Sequence, residues 1–188
     1  MSDFKLFCEE YARILDKFNR VHSLSRYKAD ELKTQIADSV LPLELFCDLT
    51  EAKRAIDVGS GAGLPALFLA AKMSQCEWSL YEPIAKKASF LSYCVASLGL
   101  KNVKINSQKI ETSDKFKADL ITSRALTNAN ALIELCSGFY DSSTLFLLYK
   151  GSEYKDEIEA LKDKFKNAKI ELKSGNEARI YALVGGLT

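Results

Sequence analysis

From Arg54 to its C-terminus the chain alternates between two periods. The runs "RAIDVG", "EWSLYE", "NVKIN", "ADLITS" and "TLFLLYK" are short, apolar and rich in residues that suit a pleated surface. Helical patterns lie between them, at about 64–72, 85–98 and 130–140. Strands joined through helices pair in parallel, and a parallel sheet needs helices on both faces. The alternation therefore specifies a doubly wound α/β sheet. A charge-rich helical stretch, "SEYKDEIEALKDKFKNA", then precedes "KIELKSG" and "ARIYALVGG". Those two are expected as an antiparallel pair at the sheet edge, giving a mixed seven-stranded sheet. The helical stretch reads as a solvated face stabilised by i,i+4 pairs.

Residues 1–50 do not alternate. Phe4, Phe7, Tyr11, Ile14, Leu15 and Phe18 recur at helical spacing. Leu32, Ile36, Val40 and Leu43 mark a second helix from about Asp30 to Phe46, bent near Pro42. The polar turn "NRVHSLSRYK" separates them. The 188 residues contain no repeat, linker or low-complexity tract, so one domain is expected over 1–188. Within it, 1–50 form a helical N-terminal extension and 51–188 the sheet core.

Net charge excludes one class of partner recognition. At +1, the chain has no global field to draw in nucleic acid, so any RNA contact needs a local patch. No apolar run approaches about eighteen residues, and "MSDFKLFCEEYARIL" lacks the layout of a signal peptide. Cys8, Cys47, Cys76, Cys94 and Cys136 are widely spaced without a CxxC, and His22 is the one histidine. These features point to a cytoplasmic protein with reduced thiols, no metal site and no membrane partner.

The first strand runs into Gly59-Ser60-Gly61-Ala62-Gly63, a turn that brings bare backbone close to a ligand. The dinucleotide fingerprint needs a further glycine where Leu64 stands, and no Gly-Lys-Ser/Thr follows for a phosphate loop. What remains is an acid before the loop, Asp57, and a second acid, Glu82, ending the second strand. A carboxylate there can accept hydrogen bonds from both hydroxyls of an adenosine ribose. This set resembles the Rossmann-like class I methyltransferases that use S-adenosylmethionine. A tight turn without ligand and a solvated strand-end acid remain the plain alternatives.

Ordered segments extend the resemblance to one family. "DVGSGAGLP", "QIADSVLP" (Gln35–Pro42), "KKASFLSY" (Lys86–Tyr93), "QKIE" (Gln108–Glu111), "ITSRAL" (Ile121–Leu126) and "LYKG" (Leu148–Gly151) occur in sequence. Together they resemble the small-subunit rRNA guanine-N7 methyltransferase family RsmG, also called GidB, over roughly residues 15–187. The chain departs from that pattern at Ser23-Leu24-Ser25 (Asn-Leu-Thr in the family), Gln35 (a histidine) and Ala66 (a glycine).

The resemblance implies S-adenosylmethionine as cofactor and contacts to it from Gly59, Leu64, Ile110, Glu111 and Arg124. Gly61 and Gly63 share the loop, and Glu82 is the expected ribose acceptor. Asp57 either holds the loop or reaches the methionine end through water. Ile110 and Glu111 would meet adenine, with plain core packing the alternative for Ile110. Arg124 is the catalytic candidate, bridging a cofactor carboxylate or a substrate phosphate, with a structural ion pair as its alternative. The acceptor implied is N7 of one guanine in the decoding-region loop of 16S rRNA, presented as RNA, small ribosomal subunit or assembly intermediate to a monomeric enzyme.

Neutral guanine N7 has a lone pair and no proton, so its methylation rests on positioning and needs no general base. Thr122-Ser123-Arg124-Ala125 contains neither the Asn/Asp-Pro-Pro-aromatic motif of amine methylation nor the Pro-Cys of cytosine methylation. On the RNA side, Arg13, Lys17, Arg20 and Arg26 are interleaved with Tyr11, Phe18 and Tyr27, and Lys150 ends the fifth strand. These cations are candidate phosphate contacts. The helical spacing of Tyr11 and Phe18 suggests core instead. Three other functions stay open: methylation of another acceptor, nicotinamide-dependent redox chemistry (disfavoured by Leu64), and RNA binding without catalysis.

Overall fold

The computed structural model describes all residues except 1, 23, 25, 26, 177, 178 and 188, together with the side chains of 2 and 22. Arg26 therefore lies outside the described residues, as does the side chain of His22.

Among the described residues, the extension holds three α-helices and ends in a 3₁₀ turn, Cys47–Glu51. Helix α1 (Ser2–His22) buries Tyr11, Ile14 and Leu15. The Tyr11 ring meets Phe68 edge-on at 4.9 Å, and Phe18 meets Phe90 at 5.2 Å. Helical spacing thus decides Tyr11 as core. Its hydroxyl donates to the Ala62 carbonyl at 2.5 Å, tying the extension to the glycine turn. Helix α2 (Ala29–Val40) stops before Pro42, whose nitrogen has no proton for a helical bond. Pro42 instead opens a short helix, α3 (Pro42–Leu45), where a missing donor is harmless.

The core follows the alternation. In order come β1 (Arg54–Val58), α4 (Ala66–Lys72), β2 (Glu77–Tyr81), α5 (Ala85–Ser97) and β3 (Val103–Asn106). Then follow β4 (Leu120–Arg124), α6 (Ala129–Leu135), β5 (Leu145–Lys150), α7 (Tyr154–Lys164), β6 (Lys169–Ser174) and β7 (Ile180–Gly185). The seven-stranded sheet has the order β3-β2-β1-β4-β5-β7-β6. β1 to β5 are parallel; β7 runs antiparallel to both β5 and β6. The expected edge pair is present, with β7 inserted between β5 and β6.

Two apolar cores flank the sheet. One joins α1, α4 and α5 to Trp78, Leu147 and Tyr181. The other gathers Ile56, Ile121, Phe139 and Phe146 with residues of α6 and α7. Among the described residues, the i,i+4 pairs expected along the charge-rich stretch around α7 give way to one i,i+3 bridge, Lys166–Asp163, and to bridges to other elements. Lys164 reaches Glu134 of α6, and Glu157 holds Lys150 of β5. Cys76, Cys94 and Cys136 are buried, and burial pushes each thiol up to about 12, so all three are inert.

β1 lies between β2 and β4, so the chain leaves it in one direction and returns on the other side. A ligand crevice belongs beyond the carboxyl ends at such a switch.

Candidate active site

A cleft of about 510 Å³ opens there. Its floor is Gly59 to Ala62, with Leu64, and one wall is Glu82 to Ile84 with Lys87. The opposite wall is Arg124 to Leu126, and the extension closes it with Leu24 and Tyr27.

The floor is made of backbone. Gly59 and Ser60 donate their amides to the Tyr81 carbonyl at 2.9 and 3.2 Å. Gly61 has φ +57°, and a Cβ there would meet only the Gly59 carbonyl at 3.8 Å, so it would project into open cleft. Gly63 differs. It has φ +84°, and a Cβ there would collide with Leu67, so it serves close packing of the loop on α4. Gly63 does not line the cleft.

Glu82 is 3% exposed and organises this floor. One carboxylate oxygen accepts the Gly61 amide and the other the Ile84 amide, each at 2.9 Å. An ionised carboxylate has about four acceptor positions, so each oxygen keeps capacity for one more donor. Asp57 lies below the loop, 1% exposed, and accepts the Thr122 hydroxyl at 2.5 Å. Burial raises its pKa to about 6, against the Thr122 and Ser60 hydrogen bonds that lower it. It supports the loop from beneath and does not line the cleft.

Arg124 stands in the cleft wall but is engaged from behind. Its guanidinium donates to Gln35 at 3.1 Å and pairs with Asp38 at 3.4 Å. Asp38 also pairs with Arg179 at 3.0 Å and accepts the Tyr181 hydroxyl at 2.6 Å. Tyr149 donates to the Ser39 carbonyl at 2.7 Å. The Asp-Ser pair of α2 thereby anchors the extension to β4, β5 and β7. The structural ion pair considered for Arg124 is present, and it sets where the guanidinium sits.

Other expected residues fall elsewhere. Ile110 is 2% exposed and packs in the core with Val58 and Tyr81. Glu111 is exposed, and neither residue lines the cleft. The short 3₁₀ turn Ile110–Thr112 carries the apolar side chain toward the core, the packing role that was its alternative. The Lys150 ammonium bonds Glu157 at 2.5 Å, and the side chain is 13% exposed. Arg13 and Arg20 are exposed on α1 but paired with Glu10 and Asp16. Lys17 lies over the Tyr93 ring, 5.8 Å from its centroid. Sequence reading passed over Ile84, Lys87 and Leu126. The signal for Ile84 was its place two residues after Glu82; Leu126 had no periodic mark.

Residues 6–180 match the family described as rRNA small subunit methyltransferase G, or GidB. The chain belongs to this family. A curated member, ribosomal RNA small subunit methyltransferase G of Campylobacter fetus, is 54% identical over 155 residues, covering 82% of this chain and 83% of the relative. The protein of the same name from Helicobacter acinonychis is 44% identical over 157 residues, covering 82% and 86%. Among solved structures, the ribosomal protein L11 methylase of Lactobacillus delbrueckii has a TM-score of 0.66 at 16% identity, over 82% of this chain and 79% of that one. A structure of MtNAS in complex with S-adenosylmethionine has a TM-score of 0.65 at 15% identity, over 98% and 78%. At those identities the likeness shows the class I methyltransferase fold. The GidB resemblance carried by the ordered motifs is borne out, and so is the Rossmann-like sheet.

Proposed function

We propose that this chain transfers a methyl group from S-adenosylmethionine to N7 of a guanine in 16S rRNA. The observation that carries it is the Glu82 carboxylate, gripping the Gly61 and Ile84 amides at once beside a glycine whose missing side chain leaves the cleft open. That arrangement fits an adenosine ribose: fixed acceptors for two hydroxyls, next to backbone that allows close approach. Membership of GidB supports small-subunit rRNA as the acceptor.

Gly59, Gly61, Leu64 and Glu82 hold the cofactor, with Asp57 and Gly63 keeping the loop in shape. When bound, S-adenosylmethionine supplies an electrophilic methyl group on a sulfonium. Arg124 orients an anionic group at the cleft wall, its own direction set by Gln35 and Asp38. Thr122 and Ser123 are spent internally, on Asp57 and on the Val58 carbonyl. Among the described residues, the cleft walls thus present no histidine and no cysteine, which suits an acceptor atom that has no proton to lose. No helix among the described residues is long and apolar enough to cross a membrane.

The test is transfer of labelled methyl from the cofactor to unmethylated small-subunit rRNA, naked or in subunits. Borohydride and aniline treatment should then cleave the RNA at one guanosine. Label on an exocyclic nitrogen, a ribose oxygen or a pyrimidine carbon would refute the N7 assignment. Tight cofactor binding and RNA affinity without transfer would favour a non-catalytic factor.

A further inference from the structure

Three large apolar side chains stand exposed around this one cleft: Tyr27 at 39%, Ile84 at 46% and Leu126 at 44%. Ile84 belongs to the cofactor side, because its amide is held by Glu82. Tyr27 and Leu126 are different. They come from outside the glycine turn, one from the segment before α2 and one from the turn after β4. Neither is a member of either apolar core. Leu126 is carried over the floor, its Cδ1 2.8 Å from where a Cβ of Gly59 would lie. The residue before it, Ala125, has φ +57°, a left-handed conformation that non-glycine residues seldom adopt. The backbone is strained at the point that aims Leu126 inward, and such strain concentrates at working sites.

We infer that Tyr27 and Leu126 form the clamp for the acceptor base, which enters the cleft unstacked as a single extruded purine. This rests on the function proposed above and extends it to the substrate side. The chemistry is that of base recognition in RNA. A guanine within structured RNA is stacked, and its ring must leave the stack before a methyl donor can approach it squarely. An extruded base needs a flat apolar partner, most often an aromatic ring, and every base has a π-face to offer it. Tyr27 is the one aromatic side chain in the cleft lining among the described residues, and Leu126 faces the floor on which the cofactor would lie. Lys87 stands in the adjacent wall; its backbone amide donates to the Ile84 carbonyl at 2.9 Å, and its ammonium, without an ion pair or hydrogen bond among the described residues, can meet the phosphate of the extruded nucleotide. The N-terminal extension therefore has two tasks. It is bolted to the sheet through Asp38, and it contributes the outer wall against which the base rests.

The experiment compares Tyr27→Ala, Tyr27→Phe and Leu126→Ala with the unaltered chain. Calorimetry with S-adenosylhomocysteine reads cofactor affinity, and methyl transfer to unmethylated small subunits reads kcat and KM. Tyr27→Ala should lower kcat/KM for the subunit by about 5- to 150-fold, the span expected for one stacked base. Leu126→Ala should fall in the same direction by less. Tyr27→Phe should transfer like the unaltered chain, because the ring face and not the hydroxyl does the work. Cofactor affinity should hold in all three. Full transfer by Tyr27→Ala, failure of Tyr27→Phe equal to that of Tyr27→Ala, or a matching loss of cofactor affinity overturns the clamp. An unaltered chain that transfers no methyl to any subunit RNA instead overturns the proposed function, and the clamp with it.

Discussion

The cleft floor and the seam under the N-terminal extension each centre on one buried carboxylate, and the two are used in opposite ways. Glu82 is surrounded by main chain. Its partners are the amides of Gly61 and Ile84, so it fixes the shape of a surface and keeps acceptor capacity for a ligand. Asp38 is surrounded by side chains. Arg124, Arg179 and the Tyr181 hydroxyl all converge on it, and it joins α2 to two strands. Burial alone does not distinguish a ligand site from a structural pair, since both acids are nearly inaccessible. The neighbours do. Backbone donors beside an open glycine prepare a binding surface, whereas converging guanidinium groups close a seam.

Disturbing the floor without touching Glu82 should have the largest effect. Gly61→Val would put a branched side chain into the open cleft, and cofactor binding measured by calorimetry should vanish while the far-ultraviolet dichroism stays native. Retained affinity in a folded Gly61→Val protein would remove the loop from the cofactor site. At the seam, Asp38→Ala strands two guanidinium groups, and urea unfolding should show a loss of about 3–5 kcal/mol, the usual cost of breaking a buried pair from one side. Asp38→Asn should lose less. The division between the two acids fails if Asp38→Ala leaves stability intact.

Asp57 adds a pH dependence to the floor. Its pKa in the folded chain is raised to about 6 by burial, so between roughly pH 4 and 6 the native state holds a proton that the unfolded chain has released. Its stabilising contribution is therefore complete below about pH 4 and is lost as pH rises through about 6. Asp57→Asn should flatten that part of the stability profile and gain on the order of 3 kcal/mol at neutral pH. An unchanged profile would mean that the burial of Asp57 is relieved in solution. Glu82→Ala should weaken S-adenosylhomocysteine binding by about 1.5–3 kcal/mol, the range for a hydrogen bond to a charged group, and Glu82→Asp by less. Equal binding by Glu82→Ala would end its ribose role. The smallest effect belongs to the exposed face of α1. Replacing Arg13, Lys17 and Arg20 together with alanine should reduce the salt slope of RNA affinity by about one for each phosphate left without its cation. An unaltered slope would shift the RNA surface toward Lys87.

The floor was legible in the sequence and the seam was not. "DVGSGAG" after an apolar strand, with an acid closing the next strand, is a local pattern because strand ends and turns are set by neighbouring residues. The sheet followed from the same periodicities, down to the antiparallel edge pair. Arg124 was visible as a strand-end cation, but its partner Asp38 lies on another helix, and no spacing rule links them. The pairing of Lys150 was hidden for the same reason: its partner Glu157 sits on the following helix, seven positions on, and a strand-end lysine looks alike whether paired or free. The orientation of Ile110 was not legible, because a three-residue turn can aim an apolar side chain either into a cleft or into a core. Tyr27 was grouped with a basic and aromatic run, whereas the fold divides that run: Tyr11 goes to the core and Tyr27 to the cleft.

The most direct test of the central claim is the chemical identity of the modified nucleotide in cells. Mass mapping of 16S rRNA should be done with and without this chain, and with the chain carrying Gly61→Val. Removing the chain should eliminate a single 7-methylguanosine, the unaltered chain should restore it, and the Gly61→Val chain should not. Persistence of every 7-methylguanosine in the absence of the chain, or disappearance of a different methylated nucleotide instead, would contradict the account.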